Sequence, residues 1–467
     1  MNYKLLKILA FFAMVFLVIS IGFGCKAEKE AETVAEAETV AEAETVTEAE
    51  TVTEAETEVT SGEPVSMNMW WWGEQEFTGL QGWVDETVKI FQDEHPNVKI
   101  TTTLQATENV FSDFPTASAA GNPPDLQYMW NGVYCMDWAW QGHVEPLNAY
   151  FTDEELDNMY SLPVTSFDGK AYRVGWYSFA FGWAYNKSML KECGVESEPK
   201  TWDDWLAACE KIKAKGYTPI SLGAKDRLLG DWLQAILMYQ QLDSYADVVR
   251  LSTGELKWDD PKYYEHWVKL KELWDKGYIN DDVNSLDLYQ GQEMLSKGES
   301  AFTIAVGSII PTIEKAIGVG NVGYMPSPVF GVGKLAGTPT MDVQGIGIAS
   351  GSANKQLAAE FIRLMHRKDR LDAIYALGGF PADKSFDSTQ IKGEVYKTMW
   401  DMVQNGIVYM SDVVPYAVTD GAANSGVQQL FAGEAKPEEL GIEAQRLIEE
   451  WVSQNPDLLE NYVNWMK

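Results

Sequence analysis

The sequence predicts an α/β protein of two lobes, with mostly parallel sheets flanked by helices. Two observations carry this. Between Val65 and Trp130, short apolar runs alternate with helix-period segments, the β-α-β-α-β order of a parallel sheet under a helical cover. Residues 64–467 also amount to about 400 residues, more than one hydrophobic core usually holds.

The N-terminal 63 residues stand outside that architecture. Lys4 and Lys7 precede the apolar run Ile8–Phe23, which is short for a bilayer span and ends at Gly24-Cys25. Residues 1–25 therefore read as a secretory signal. Cys25 resembles the acylated first residue of bacterial lipoproteins, which makes it the expected lipid attachment point; a plain signal peptide is the alternative. Residues 31–60 repeat the hexapeptides AETVAE, AETVTE and AETEVT, and residues 26–63 hold 13 Glu against 2 Lys. With like charges at i,i+4, as at Glu32 and Glu36, and almost nothing apolar to bury, this segment is expected to be an extended, disordered tether. Its 37 residues to Gly62 reach ~30–36 Å as a plain coil, and self-repulsion stretches that further.

Val65–Trp72 then reads as a strand. It contains Trp70, Trp71 and Trp72, and alternation turns Trp71 away from its two neighbours. Leu80, Trp83, Val84, Val88 and Phe91 keep helical spacing up to His95-Pro96, and Val98–Leu104 alternates as a second strand. A helix near Asn109–Ala120 stops at Gly-Asn-Pro-Pro, and Asp125–Trp130 forms a third strand. Ligands of such sheets sit at the carboxyl ends of strands, where Trp70–Gln75 and Trp130-Asn131 lie. Farther on, Thr201 and Asp204 spell a capping box before the stripe Trp202, Trp205, Leu206, Cys209, Ile212. Another helix starts at Asn354, with Ala358, Phe361, Ile362 and Met365 facing inward. The helix-borne tryptophans 202, 205, 267, 274, 400 and 451 are expected to be packing residues.

The chain carries −33 in all; setting aside −11 for the tether and +2 for the signal leaves −24 for the folded part. That balance argues against nucleic acid and anionic surfaces. Cys135, Cys193 and Cys209 allow at most one disulfide, and all three also suit buried free thiols. Four scattered histidines, with no i,i+4 pair and no cysteine at ligand spacing, argue against zinc. No phosphate-cradling loop or Gly-x-Ser-x-Gly turn is present. No cofactor or metal is expected.

Several stretches, taken in order, resemble a known family. "FDGKAYRVGWYSFAFGWAYNKSMLKECG" (167–194), "EPKTWDDWLAACEKIKAKGYTPI", "MLSKGESAFTIAVGSII" (294–310), "GIGIASGSANKQLAAEFIRLM" (345–365) and "LGGFPADKSF" are similar to the extracellular solute-binding proteins (family 1) of sugar ABC importers, the maltose-binding-protein-like group. The resemblance implies the two-lobe, type II periplasmic binding protein fold with several inter-lobe crossings, near Gly175–Ser178, Asp342–Gly345 and Phe380–Ser385. It implies one lobe of 64–176 with 344–382 and another of 177–343 with 383–467. It further implies a monomeric, non-enzymatic receptor, periplasmic or extracellular and held to a membrane by its lipid. Its partners would be a neutral mono- or oligosaccharide and a permease pair with its ATPase. A secreted glycoside hydrolase and a non-transport surface lipoprotein are the alternatives.

A sugar offers C–H ring faces, which suit aromatic rings, and hydroxyls, which suit carboxylates, amides and Arg. That chemistry selects Trp70, Trp71, Trp72, Glu74 and Gln75, with at least one of the tryptophans expected in the core. Trp130, Asn131, Trp176 and Tyr177 follow, then Arg227 and Trp232, and finally Asp342 and Gln344. For Arg227 a surface ion pair and for Asp342 a turn cap are the plainer roles. Ser308 stands where the resemblance implies an aromatic cleft residue, so stacking from that side is expected to be missing.

Overall fold

The computed structural model describes residues 63–465. Cys25, the signal and all of the tether but its last residue lie outside the described residues. Among the described residues twelve strands form: β1 (Val65–Trp71), β2 (Val98–Leu104), β3 (Leu126–Met129), β4 (Ser166–Phe167), β5 (Lys170–Ala171), β6 (Val174–Asn186), β7 (Thr218–Ser221), β8 (Ser300–Val306), β9 (Val322–Met325), β10 (Thr340–Ile348), β11 (Phe380–Pro381) and β12 (Ile407–Val408). The main sheet runs β2-β1-β3-β10-β6-β8-β7. Its two flanks are parallel: β1 pairs parallel with β2 and β3, and β7 with β8. The central strands β10 and β6 run antiparallel to each other and to β3 and β8 beside them, while the short β12 adds to β10 in parallel.

The first β-α-β-α-β unit forms as its pattern predicts, with helices Leu80–Glu94 and Thr107–Ala119 between the strands. The capping box is present: Thr201 Oγ1 accepts from Asp204 N at 3.2 Å, and Thr201 N donates to Asp204 Oδ2 at 3.3 Å. The chain leaves that helix through Gly216 at φ 88°, a left-handed turn without cost for glycine. Helix Lys355–Met365 buries Ala358, Phe361, Ile362 and Met365.

All 13 residues of β6 are buried. Its first part pairs with β10, from Val174↔Ile346 to Phe181↔Thr340, and its last part with β8 and β9. One strand thus belongs to both halves of the sheet. The expected crossings at 175–178 and 342–345 fall inside β6 and β10, and β11 adds Phe380↔Ser178 and Pro381↔Tyr177 beside them. A register shift between Gln344 and Gly345 breaks the ladder there. Gly345 is required at that point, since a Cβ would lie 2.0 Å from Arg173 Nε and 2.4 Å from Val174 O.

The core holds Trp71, Trp176, Trp183, Trp205, Trp258, Trp267 and Trp465 essentially dry. Cys135, Cys193 and Cys209 are buried and free. Among the described residues, no helix is long and apolar enough to cross a membrane, and no three His, Cys, Asp or Glu converge as metal ligands.

Candidate functional site

A cavity of about 670 Å³ opens where the two halves of the sheet meet, within the range of small-molecule sites. One wall grows from the ends of β1 and β3. As β1 runs out, Trp71 turns into the core against Trp176, with ring centroids 6.3 Å apart. Trp72 turns to the cavity instead, 5.1 Å from Trp130, and its Nε1 donates to Thr107 Oγ1 at 3.0 Å. Trp130 stacks on Phe111 at 4.9 Å and 16°. Phe111 in turn lies 5.4 Å from Tyr134 and 5.5 Å from Tyr416. The facing wall places Phe181 of β6 edge-on to Trp232 (4.8 Å) and Tyr409 (4.9 Å). Both walls therefore present ring faces and edges.

The floor is a hydrogen-bonded polar network on the crossing strands. Tyr128 Oη donates to Gln344 Oε1, and Asn131 Nδ2 donates to Asp342 Oδ1. Gln344 Nε2 reaches Asp342 Oδ2 at 3.0 Å, and Val343 N reaches Asp342 Oδ1 at 2.7 Å. Beneath them Arg173, wholly buried, donates to Asn131 Oδ1 and Val343 O. Burial pushes the Asp342 carboxyl up, and the nearby Arg173 charge draws it back. Asp412 is pushed well above the usual carboxylate range by burial, then by the charges of Asp342 and Asp231. Glu76 is raised in the same way, by burial first and Asp342 second.

The rim is polar. Arg227 holds a left-handed backbone (φ 61°) and pairs with Asp420 at 2.8 Å while donating to Ser425 Oγ at 2.6 Å. Thr419, Asp420 and Asn424 reach the cavity from Thr419–Asn424, a π-helical stretch. Such stretches are rare and concentrate at functional sites.

Of the residues selected from sequence, Trp72, Gln75, Trp130, Arg227, Trp232, Asp342 and Gln344 line this cavity. The other seven lie elsewhere. Trp70 pairs along β1 with Thr103 and Gln127. Trp71, Trp176 and Tyr177 are buried in the packed interior. Glu74 accepts from Gly79 N (2.8 Å) and Gln81 N (2.6 Å), fastening the start of helix Leu80–Glu94. Asn131 lies behind the floor, between Arg173 and Asp342. Ser308 donates to Glu76 O at 2.9 Å, tying the two halves of the molecule together beside the cavity.

Sequence reasoning missed Glu76, Phe111, Tyr134, Phe181, Asp226, Asp287, Tyr289, Tyr409, Asp412, Tyr416, Thr419, Asp420 and Asn424. The segment Tyr409–Tyr416 mixes aromatic and acidic residues as Trp70–Glu76 does, so the same criterion would have found it. Phe111 and Tyr134 sit on apolar helix faces and carry no local signal.

Residues 71–369 match the family described as Bacterial extracellular solute-binding protein. The chain belongs to this family. Relatives include an ABC transporter extracellular-binding protein of Pyrococcus horikoshii, 30% identical over 44% of this chain and 50% of its own length. A second P. horikoshii protein of the same description is 26% identical over 50% of this chain and 53% of its own length. The chain thus spans about half the length of these two. A multiple sugar-binding protein of Streptococcus mutans is 24% identical over 64% of this chain and 72% of its own length. Among solved structures, a chitin oligosaccharide binding protein superposes with TM-score 0.75 at 24% identity, covering 83% of this chain and 99% of its own. The GacH receptor of Streptomyces glaucescens gives 0.67 at 18% identity, over 83% and 100%. These likenesses establish the two-lobe solute-binding protein fold.

Proposed function

We propose that this solute-binding protein captures a carbohydrate in the cavity and delivers it to an ABC permease pair driven by an ATPase. The observation that carries the reading is the cavity itself: aromatic walls from both halves of the sheet over a floor of carboxylates and amides. Ring faces match sugar C–H surfaces, and the floor matches hydroxyls. Relatives named as sugar-binding support it.

The lobes are 64–176 with 344–382, and 177–343 with 383–467, hinged on β6, β10 and the segment after β11. Ligand favours closure because only the closed form brings both walls onto it. The N-terminal cysteine and acidic tether keep the receptor on the outer face of a membrane, within reach of the permease.

The test is a panel of mono- and oligosaccharides read by tryptophan fluorescence and thermal shift. A binder should change the emission of Trp72 and Trp232 and raise Tm, by about 2.7 kcal/mol of added stability at 100 times Kd. No response across the panel would remove the carbohydrate reading. New reducing ends would instead mark a hydrolase.

A further inference from the structure

We propose that the cavity prefers a sugar bearing a protonated amine over its uncharged analogue, and that it rejects sugar acids. This rests on the carbohydrate reading above and adds the charge of the ligand. Among the described residues, seven carboxyl side chains line the cavity against a single cationic one, Arg227. Arg227 is already paired with Asp420 at 2.8 Å. Arg173 lies behind the floor, fully buried, and its two terminal nitrogens donate to Asn131 Oδ1 and Val343 O rather than into the cavity. It is one positive charge facing both Asp342 and Asp412.

An ionised carboxylate attracts a cation and only accepts hydrogen bonds, and an ammonium group brings one positive charge with three donors. A neutral hydroxyl is also served at this wall, by Gln75, Tyr289 and Asn424 beside the carboxyls, but it brings them no charge. The aromatic walls add to this independently. The rings of Trp72, Trp130 and Phe181 line the same cavity, and the π cloud of such a ring attracts cations and disfavours an anionic ligand. Burial raises the Asp412 and Glu76 carboxyls, and Asp412 shares the one Arg173 charge with Asp342; an entering ammonium favours their ionised forms.

The experiment is calorimetric titration of the full chain at pH 6.5 with three probes of one length and linkage. These are the β-1,4 glucosamine trisaccharide, its fully N-acetylated form, and cellotriose. Acetylation neutralises the amine but adds an acetyl group, whereas cellotriose exchanges the amine for a hydroxyl of similar size, so the two neutral probes together separate charge from bulk. We expect the free amine to bind at least about tenfold tighter than either neutral probe. Asp412→Asn and, separately, Asp231→Asn should each cut that preference to about threefold or less, with folding checked by circular dichroism. If Asp412→Asn fails to fold, Asp231→Asn still decides. Neutral probes binding as tightly as the amine would overturn the inference and leave the carbohydrate reading standing. An unchanged preference in the folded variants would also overturn it. Binding of none of the three would count against both.

Discussion

Replacing Arg173 with leucine should expose how strongly the floor of the cavity depends on one buried cation. Arg173 is fully buried, donates to Asn131 and Val343 O, and orients Asn131 toward Asp342. Leucine fills most of the volume but leaves two buried carboxyls, Asp342 and Asp412, without the positive charge they face. Removing one partner of a buried ionic cluster costs about 3–5 kcal/mol. At about 2 °C per kcal/mol for a chain of this size, Tm falls by roughly 6–10 °C. The loss carries a pH signature. Burial raises both carboxyls and Arg173 opposes that rise, so without it both move higher. The folded state then binds more protons than the unfolded state over a wider window, and stability falls more steeply as pH increases. The deficit against wild type is therefore larger at pH 8 than at pH 5, where the carboxyls take up protons and need no counter-ion. Calorimetric Tm of both proteins at the two pH values measures it. A deficit below about 1 kcal/mol, or one equal at both pH values, would refute this account of the floor.

Two other outcomes separate neighbouring roles. Trp72→Ala removes a ring that lines the cavity and leans on Trp130; sugar affinity should drop about 10- to 100-fold, roughly 1.4–2.8 kcal/mol. Trp70→Ala, two residues away and off the cavity, should stay within about twofold by the same titration; equal losses would show that the two indoles share one role. Asp137 has its Oδ1 buried without a hydrogen-bond partner among the described residues, and burial pushes its carboxyl up to about 7. Its folded value exceeds the unfolded one, so it costs stability progressively as pH rises from about 4 to about 7. Asp137→Asn should gain about 1–3 kcal/mol over wild type at pH 8 and nothing below pH ~4. Parallel Tm-versus-pH curves for the two proteins would contradict that.

Local order was legible because it is written in local patterns. The alternation of Val98–Leu104 and the spacing from Leu80 to Phe91 specify a strand and a helix through periodicity alone, and Thr201 with Asp204 specifies a helix start through two hydrogen bonds. The same reasoning brought Trp72, Gln75 and Trp130 to the ends of strands, where the cavity opens. It also split the three consecutive tryptophans, but it did not say which one would line the cavity. That choice came from Trp176 on a strand about 100 residues later, which gives Trp71 an indole to pack on, while the strand ends before Trp72 and frees it to turn.

What only the folded chain decides are the meetings between distant segments. Pairing of β6 with β10 joins residues some 160 positions apart, and no local pattern records that register. It places Arg173 under Asp342, a contact invisible in either segment, and it makes Gly345 indispensable. Phe181, Asp287 and Asp420 carry no local mark of a site in the sequence. They become part of one acidic, aromatic cavity because a strand, a helix start and a π-helical turn deliver them to the same point. The character of each element is short-range, set by side-chain periodicity and caps. The chemistry of the cavity is long-range, because burial and the charges of distant neighbours set the protonation and orientation of its groups.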